Sequence, residues 1–230
     1  MTKPNVFQLI DLDRTLFDTS KFAKALTDEL NKVHPGLGTQ LDEQFEKAYA
    51  REETFFLLRY LRQEMGNQQF EALVDEVVAK QPEKGAAFKL PGFHARLELA
   101  DTLSSRTPGW GILTYGDPID QLMKMKLVGL EGAPMYCTPS PNKGETIAQW
   151  QQEDGRFHLP DEYGGGIVDT LTFEDDKYRA FLELPKGVFG IWLTRDPQAT
   201  ERLGELDGTV ISVASLDEAS EYLRTSYLKK

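Results

Sequence analysis

Between Val6 and Phe17 the chain runs VFQLIDLDRTLF. Val6–Ile10 is apolar apart from Gln8, the composition of a short strand buried on both faces. The run stops abruptly at Asp11, Asp13 and Thr15. In open α/β sheets ligands bind in the crevice beyond the carboxyl ends of the strands, where these residues would emerge. Residues two apart in extended chain point the same way, so both carboxylates can face one ligand. Left to themselves they repel, and at least one is driven to protonate. A divalent cation with a phosphate group accounts for both. An isolated Asp-x-Asp more often caps a turn, and it is the apolar run before it and the Thr-Leu after it that weigh against that reading here.

The 230 residues suit one sizeable domain or a core domain with a smaller insert. Hydrophobic content of 40% and charged content of 27% are those of an ordinary globular protein. No apolar run approaches 18 residues, so no membrane-spanning helix is expected. The N-terminus enters its strand without a signal-peptide pattern, and a cytoplasmic location is the expectation. The single cysteine, Cys137, excludes an internal disulfide framework and Cys-rich zinc clusters. A net charge of −11 argues against nucleic-acid and anionic-membrane partners, both of which need basic patches. It leaves room for an anionic small substrate, because a metal and a few cations make a pocket locally positive.

After Phe17 the periodicity turns helical. Phe22, Leu26, Leu30 and Val33 recur at helical spacing behind capping side chains at Asp18–Ser20, and this helix is expected to stop before Pro35-Gly36. Further helices are predicted over Leu41–Tyr49, Thr54–Met65 and Phe70–Ala79, with no strand between them. Residues 18–88 therefore read as an inserted all-helical cap, and Leu90-Pro91-Gly92 as the return linker. The rest alternates: a helix at Phe93–Leu103, a strand at Trp110–Thr114, a helix at Ile119–Val128, a strand at Met135–Cys137 and a helix at Glu145–Gln151. Gly155–Gly166 reads as a loop. Strands follow at Ile167–Phe173, Val188–Leu193 and Thr209–Val213, and a last helix runs from Ser215 to about Tyr227. Alternation of this kind implies a parallel sheet with right-handed crossovers, an α/β, Rossmann-like, three-layer core made of residues 1–17 and 89–230. Asp11, Thr114 and Glu174–Asp176 then all emerge at one sheet edge.

The pattern VFQLIDLDRTL resembles the first motif of the haloacid-dehalogenase-like (HAD) hydrolase superfamily, a hydrophobic strand followed by Asp-x-Asp-x-Thr-Leu. Thr114, closing ILT before Tyr115 and Gly116, is similar to that superfamily's second motif. Lys143 in PSPNKGETI resembles the third-motif lysine, and Asp175 in LTFEDDKYRAF the fourth-motif acidic cluster. A helical insert just after the first motif agrees with the resemblance, which covers the whole core. It implies a phosphatase in which Asp11 is the nucleophile of a covalent aspartyl-phosphate and Asp13 the general acid and base. It also implies Thr114 and Lys143 on the phosphoryl oxygens, and Mg²⁺ bound by the Asp11 carboxylate, the Asp13 backbone carbonyl and Asp175. Glu174 and Asp176 are alternative or outer ligands; Tyr115, Gly116 and Arg14 are further candidates. Members often carry another Asp four positions after the main ligand, where this chain has Arg179.

Each role competes with a plainer one. Lys124 and Lys126 rival Lys143 but read as a solvated helix face. Glu174–Asp176 could be a solvated turn. His34, His94 and His158 are scattered without metal-ligand spacing, Cys137 reads as a buried small residue, and Trp150 and Trp192 as core. Arg51, Arg59, Arg62 and the Thr194–Pro197 corner are weaker candidates for reaching a substrate. A small phosphorylated metabolite is the expected partner, with the insert as a lid. Dehalogenation is disfavoured by Asp13, and phosphonate cleavage by the lack of a marked lid lysine among Lys21, Lys24, Lys32, Lys47, Lys80 and Lys84. A phosphomutase, or a non-catalytic phosphate sensor on the same fold, are the alternatives.

Overall fold

The structure, a computed structural model, describes residues 5–50, 55–81, 86–195, 199–206 and 209–227. Along the chain, β1 (Val6–Ile10) is followed by α1 (Thr19–Val33), α2 (Pro35–Ala50), α3 (Leu57–Met65), α4 (Asn67–Ala79) and α5 (Phe93–Leu103). Then come β2 (Trp110–Tyr115), α6 (Pro118–Leu127), β3 (Met135–Thr138) and α7 (Lys143–Ala148). The chain ends through β4 (Phe157–His158), β5 (Ile167–Val168), β6 (Thr170–Asp175), β7 (Val188–Leu193), α8 (Ala199–Leu203), β8 (Thr209–Val213) and α9 (Leu216–Tyr227).

All five residues of β1 are buried, as an internal strand of a parallel sheet requires. The main sheet has the order β3-β2-β1-β6-β7-β8, and every pairing in it is parallel. The expected α/β, Rossmann-like core is therefore observed. Side chains alternate across it. Phe7, Leu9, Phe173 and Trp192 pack with Ile147 of α7 in one apolar cluster. On the other face, Leu99 and Leu103 of α5 meet Ile191, Val213 and the α9 residues Ala219 and Leu223. The sheet thus lies between two helical layers.

Two compact units divide the chain. One holds the sheet: residues 1–17, 90–115 and 132–230. The other comprises residues 18–89 and 116–131, and its named elements, α1–α4, α6 and a 3₁₀ turn at Ala86–Phe88, are all helical. Alternation along the chain assigns 116–131 to the core; the structure groups it with the helical segment. Long-range burial explains the difference, because Asp120, Gln121, Lys124 and Met125 of α6 are all buried and Asp120 pairs with Arg62 of α3. Within the sheet unit the Leu90 N–H donates to the Leu16 carbonyl at 3.0 Å, and within the helical unit the Asp18 N–H donates to the Phe88 carbonyl at 2.7 Å.

Three local expectations need correction. α1 stops before Pro35 as expected, but the helix expected from Leu41 already begins at Pro35, the first residue of α2, where its missing N–H is no loss. The expected loop at Gly155–Gly166 contains β4 and a 3₁₀ turn at Asp161–Tyr163, and β4 pairs antiparallel with β5. Its Phe157, Leu159 and Tyr163 are core residues, and the Tyr163 hydroxyl donates to the Ile112 carbonyl at 2.8 Å. The strand expected over Ile167–Phe173 is two, β5 and β6, broken at Asp169. Among the described residues no helix is long and apolar enough to cross a membrane.

Gly144, the second residue of α7, illustrates how closely the layers approach. A Cβ there would run into the Leu182 carbonyl oxygen and lie 2.9 Å from the Leu184 nitrogen. Gly144→Ala must displace one backbone or the other, and overpacking of this kind costs about 1–3 kcal/mol. A thermal melt is expected to show the variant melting several degrees below wild type.

Candidate active site

β1 and β6 are neighbours, with Ile10 opposite Glu174, so their carboxyl ends deliver Asp11 and Asp175 to the same edge. The ladder continues one step further: the Asp11 N–H donates to the Glu174 carbonyl at 2.8 Å. Past Asp11 the chain folds back on itself, with the Leu16 and Phe17 N–H groups both donating to the Leu12 carbonyl at 3.0 and 2.8 Å. Arg14 sits at φ 61°, a strained region for a residue with a Cβ, and its N–H donates to the Phe17 carbonyl at 2.8 Å. This turn buries Thr15, whose hydroxyl donates to Asp11 Oδ2 at 3.3 Å.

Lys143, the first residue of α7, enters the same crevice. Asn142 caps the helix by accepting from the Glu145 N–H at 3.4 Å. The Lys143 ammonium donates to Asp11 Oδ1 and, at 2.6 Å, to Asp175 Oδ2. All three side chains are buried. One cation thus bridges two carboxylates that lie 164 positions apart in the chain, from 11 to 175. Asp175 Oδ1 also accepts from the Lys177 N–H at 2.8 Å.

Asp11, Asp175 and Asp176 each present a carboxylate oxygen within 4.8 Å of the others. Burial raises the Asp11 carboxyl to about 8; Lys143 opposes this, while Asp175, Asp176 and Asp13 add to it. Burial likewise lifts Asp176 to about 7, with Asp175 adding and Lys177, Arg14 and Lys143 opposing. Burial pulls the Lys143 ammonium down, yet Asp11 and Asp175 outweigh it and hold the amine above its ordinary range. The site is therefore a crowded set of acids around one base. Its donors are all carboxylate oxygens, the set that suits a hard divalent cation such as Mg²⁺. Asp176 Oδ1 and the Thr114 hydroxyl are among the buried polar atoms of the described residues that have no hydrogen-bond partner. Buried polar atoms in native proteins are ordinarily partnered, and oxygens of this kind fit an ion and a phosphoryl oxygen.

The other expected residues fall as follows. Asp13 is half-buried in the turn after β1, and its charge adds to the upward push on Asp11. Thr114 is wholly buried near the end of β2, two residues beyond the Ile112 that lies opposite Ile10. Tyr115 is half-buried. Gly116 belongs to the helical unit, where a Cβ would meet the Gln121 side chain. Arg14 is exposed, close enough to Asp176 to lower it. Glu174 does not join the acid cluster. Strand alternation turns its side chain to the opposite face from Asp175, and there its Oε2 accepts from Arg96 Nε at 2.8 Å. Burial raises the Glu174 carboxyl and Arg96 opposes the shift. Arg179, four positions beyond Asp175, is exposed; the third carboxylate is Asp176.

Several lesser expectations change. Lys124 is buried within the helical unit, not solvated, whereas Lys126 is exposed. Arg62 is committed to Asp120 and to the face of Phe70, 5.5 Å from its centroid, so it is not free to reach a substrate. Cys137 is half-buried instead of buried. The three histidines are exposed. Arg51, Lys84, Asp196 and Pro197 lie outside the described residues. Arg96 was missed by the sequence reading. The available signal was its place on the apolar stripe Phe93, Arg96, Leu97, Ala100, where an arginine can be buried only beside a partner.

No protein-family model matches the sequence, and no curated protein matches it. Solved structures do match in fold. A haloacid dehalogenase-like hydrolase structure from Burkholderia xenovorans LB400 superposes with a TM-score of 0.63 at 17% identity, over 95% of this chain and 98% of that one. A haloacid dehalogenase-like family hydrolase from Xanthomonas campestris matches at TM-score 0.55 and 11% identity, over 99% and 93%. The HAD-hydrolase YfnB from Bacillus subtilis, whose structure is bound to magnesium and reveals interdomain movement, matches at 0.52 and 13%, over 96% and 99%. The chain has the fold of these hydrolases.

The raised acids make a pH prediction for protein stripped of metal. A folded-state value of about 8 for Asp11, against 3.8 for its ordinary one, means its contribution to stability is fully present below about pH 4. It is lost as the pH rises through about 8. Asp11→Asn removes the buried acid while keeping its shape. In chelator, the melting temperature of the variant relative to wild type is expected to climb in the variant's favour from pH 5 to pH 8.

Proposed function

We propose that this chain is a metal-dependent phosphatase of the HAD superfamily, hydrolysing a small phosphate monoester through an aspartyl-phosphate on Asp11. The observation that carries the reading is the convergence of Asp11, Lys143, Asp175 and Asp176, drawn from three separate segments, at one edge of the sheet. A carboxylate nucleophile converts one difficult displacement into two easier ones. Asp11 attacks phosphorus, its oxygen forming the new O–P bond as the ester O–P bond breaks. The Asp13 carboxyl gives its proton to the departing alkoxide oxygen. Asp13, now ionised, takes a proton from water as that water attacks the same phosphorus, and the bond to Asp11 breaks to leave inorganic phosphate.

The charge on the transferring group is the main catalytic problem. Lys143 is already held against Asp11 and so is placed to pair with phosphoryl oxygens there. The Thr114 hydroxyl, buried and unpartnered, is the second donor. Asp11, Asp175 and Asp176 would hold Mg²⁺, with the Asp13 backbone carbonyl as a further ligand. Bound there, the ion supplies the positive charge that keeps Asp11 ionised at neutral pH. The magnesium in the B. subtilis neighbour supports that choice of metal, and the interdomain movement seen there supports a lid role for the helical unit.

With p-nitrophenyl phosphate and a panel of phosphorylated metabolites, Mg²⁺-dependent release of inorganic phosphate is expected. Asp11→Asn should abolish it, and Asp13→Asn should lower it by ~10²–10⁴-fold. Mg²⁺ at about a hundred times its dissociation constant should add about 2.7 kcal/mol of stability, a rise of roughly 5–10 °C for a domain of this size. A Mg²⁺-dependent rise in melting temperature with no turnover on any monoester would overturn the enzymatic reading in favour of a phosphate sensor.

A further inference from the structure

Arg96 heads the largest fully buried side chains of the described residues, and the chemistry above gives it no part. Its Nε donates to Glu174 Oε2 at 2.8 Å, with the two side chains 0% and 1% exposed. Both Nη atoms of Arg96 and Oε1 of Glu174 lack hydrogen-bond partners. A pair of charges taken so fully out of water is weak evidence of stabilisation; its better-attested use is to specify one arrangement.

What it specifies follows from the other connections of the same residues. The Glu174 carbonyl accepts from the Asp11 N–H, and Asp175 is the next residue along the strand. Arg96 stands on α5, which is tied to β1 as well: Gln8 Nε2 donates to the Ala100 carbonyl at 3.1 Å. One helix therefore grips, through buried polar contacts, both strands that deliver the acids. It does so from the face of the sheet opposite Asp175. The ion pair reaches the acid cluster only through the Glu174 main chain, its carbonyl on the Asp11 N–H and its peptide link to Asp175, so any effect on metal binding passes through backbone position.

We propose that the Arg96–Glu174 ion pair is a positioning device. It holds the carboxyl ends of β1 and β6 at the spacing at which Asp11, Asp175 and Asp176 share one divalent cation. This rests on the metal-dependent reading above. Outer partners that orient metal ligands typically matter ~10–100-fold in affinity when removed.

The test is Mg²⁺ affinity, read by calorimetry and by the rise in melting temperature, in the full chain. Arg96→Met with Glu174→Gln removes both charges and leaves neither stranded. The double variant is expected to fold and to bind Mg²⁺ about 10–100-fold more weakly. Arg96→Lys, which keeps the charge opposite Glu174, is expected to recover part of that loss. If the double variant does not fold, Glu174→Gln alone decides, with several-fold weaker Mg²⁺ binding expected. A folded variant that melts lower but binds Mg²⁺ as wild type does would show a purely structural pair and overturn the inference alone. A wild-type chain with no response to Mg²⁺ would overturn the metal-dependent reading and the inference with it.

Discussion

A single buried ammonium, Lys143, carries the arrangement at the sheet's carboxyl edge. Taken out of water alone, a lysine would shed its proton or be expelled. Here it keeps its charge because Asp11 and Asp175 reach it from neighbouring strands and each accepts a hydrogen bond. The requirement is mutual. Each carboxylate needs the cation as much as the cation needs them, so α7, β1 and β6 must meet at that point. The Phe173 ring, 6.0 Å from the ammonium, closes the apolar side of the same pocket.

The bridge is not balanced, and the imbalance is informative. Asp176 stands beside the pair, Asp13 adds its field, and burial pushes two of the acids far above their ordinary values. A fold selected for stability alone has no reason to gather acids where each raises the others. Sites that do so are characteristically those that bind ions or perform chemistry. The unpartnered oxygens of Asp176 and Thr114 belong to the same logic, being polar atoms held ready instead of satisfied within the chain.

Strand β6 shows how one short segment serves both faces of the sheet. Phe173 enters the core, Glu174 turns to the helix behind, and Asp175 turns to the crevice in front. Period-two alternation makes this possible. Adjacent acidic residues can then have unrelated environments: Glu174 is locked against Arg96, and Asp175 shares Lys143 with Asp11.

The amino-acid sequence by itself determined the strand Val6–Ile10 with Asp11 and Asp13 at its end, the alternation that makes a parallel sheet, and the candidacy of Thr114, Lys143 and Asp175. These are local matters of apolar runs, periodicity and residue type, and neighbouring residues encode them directly. Tertiary structure alone decided which acid of Glu174–Asp176 faces which way, and that Lys143 meets Asp11 while Lys124 is buried elsewhere. It also decided that residues 116–131 pack with the helical unit and that Gly155–Gly166 feeds Phe157 and Tyr163 into the core. The physical reason is common to all of these. A sequence shows which side chains must leave water, but partners far along the chain settle where they go, and only the folded chain brings those partners together.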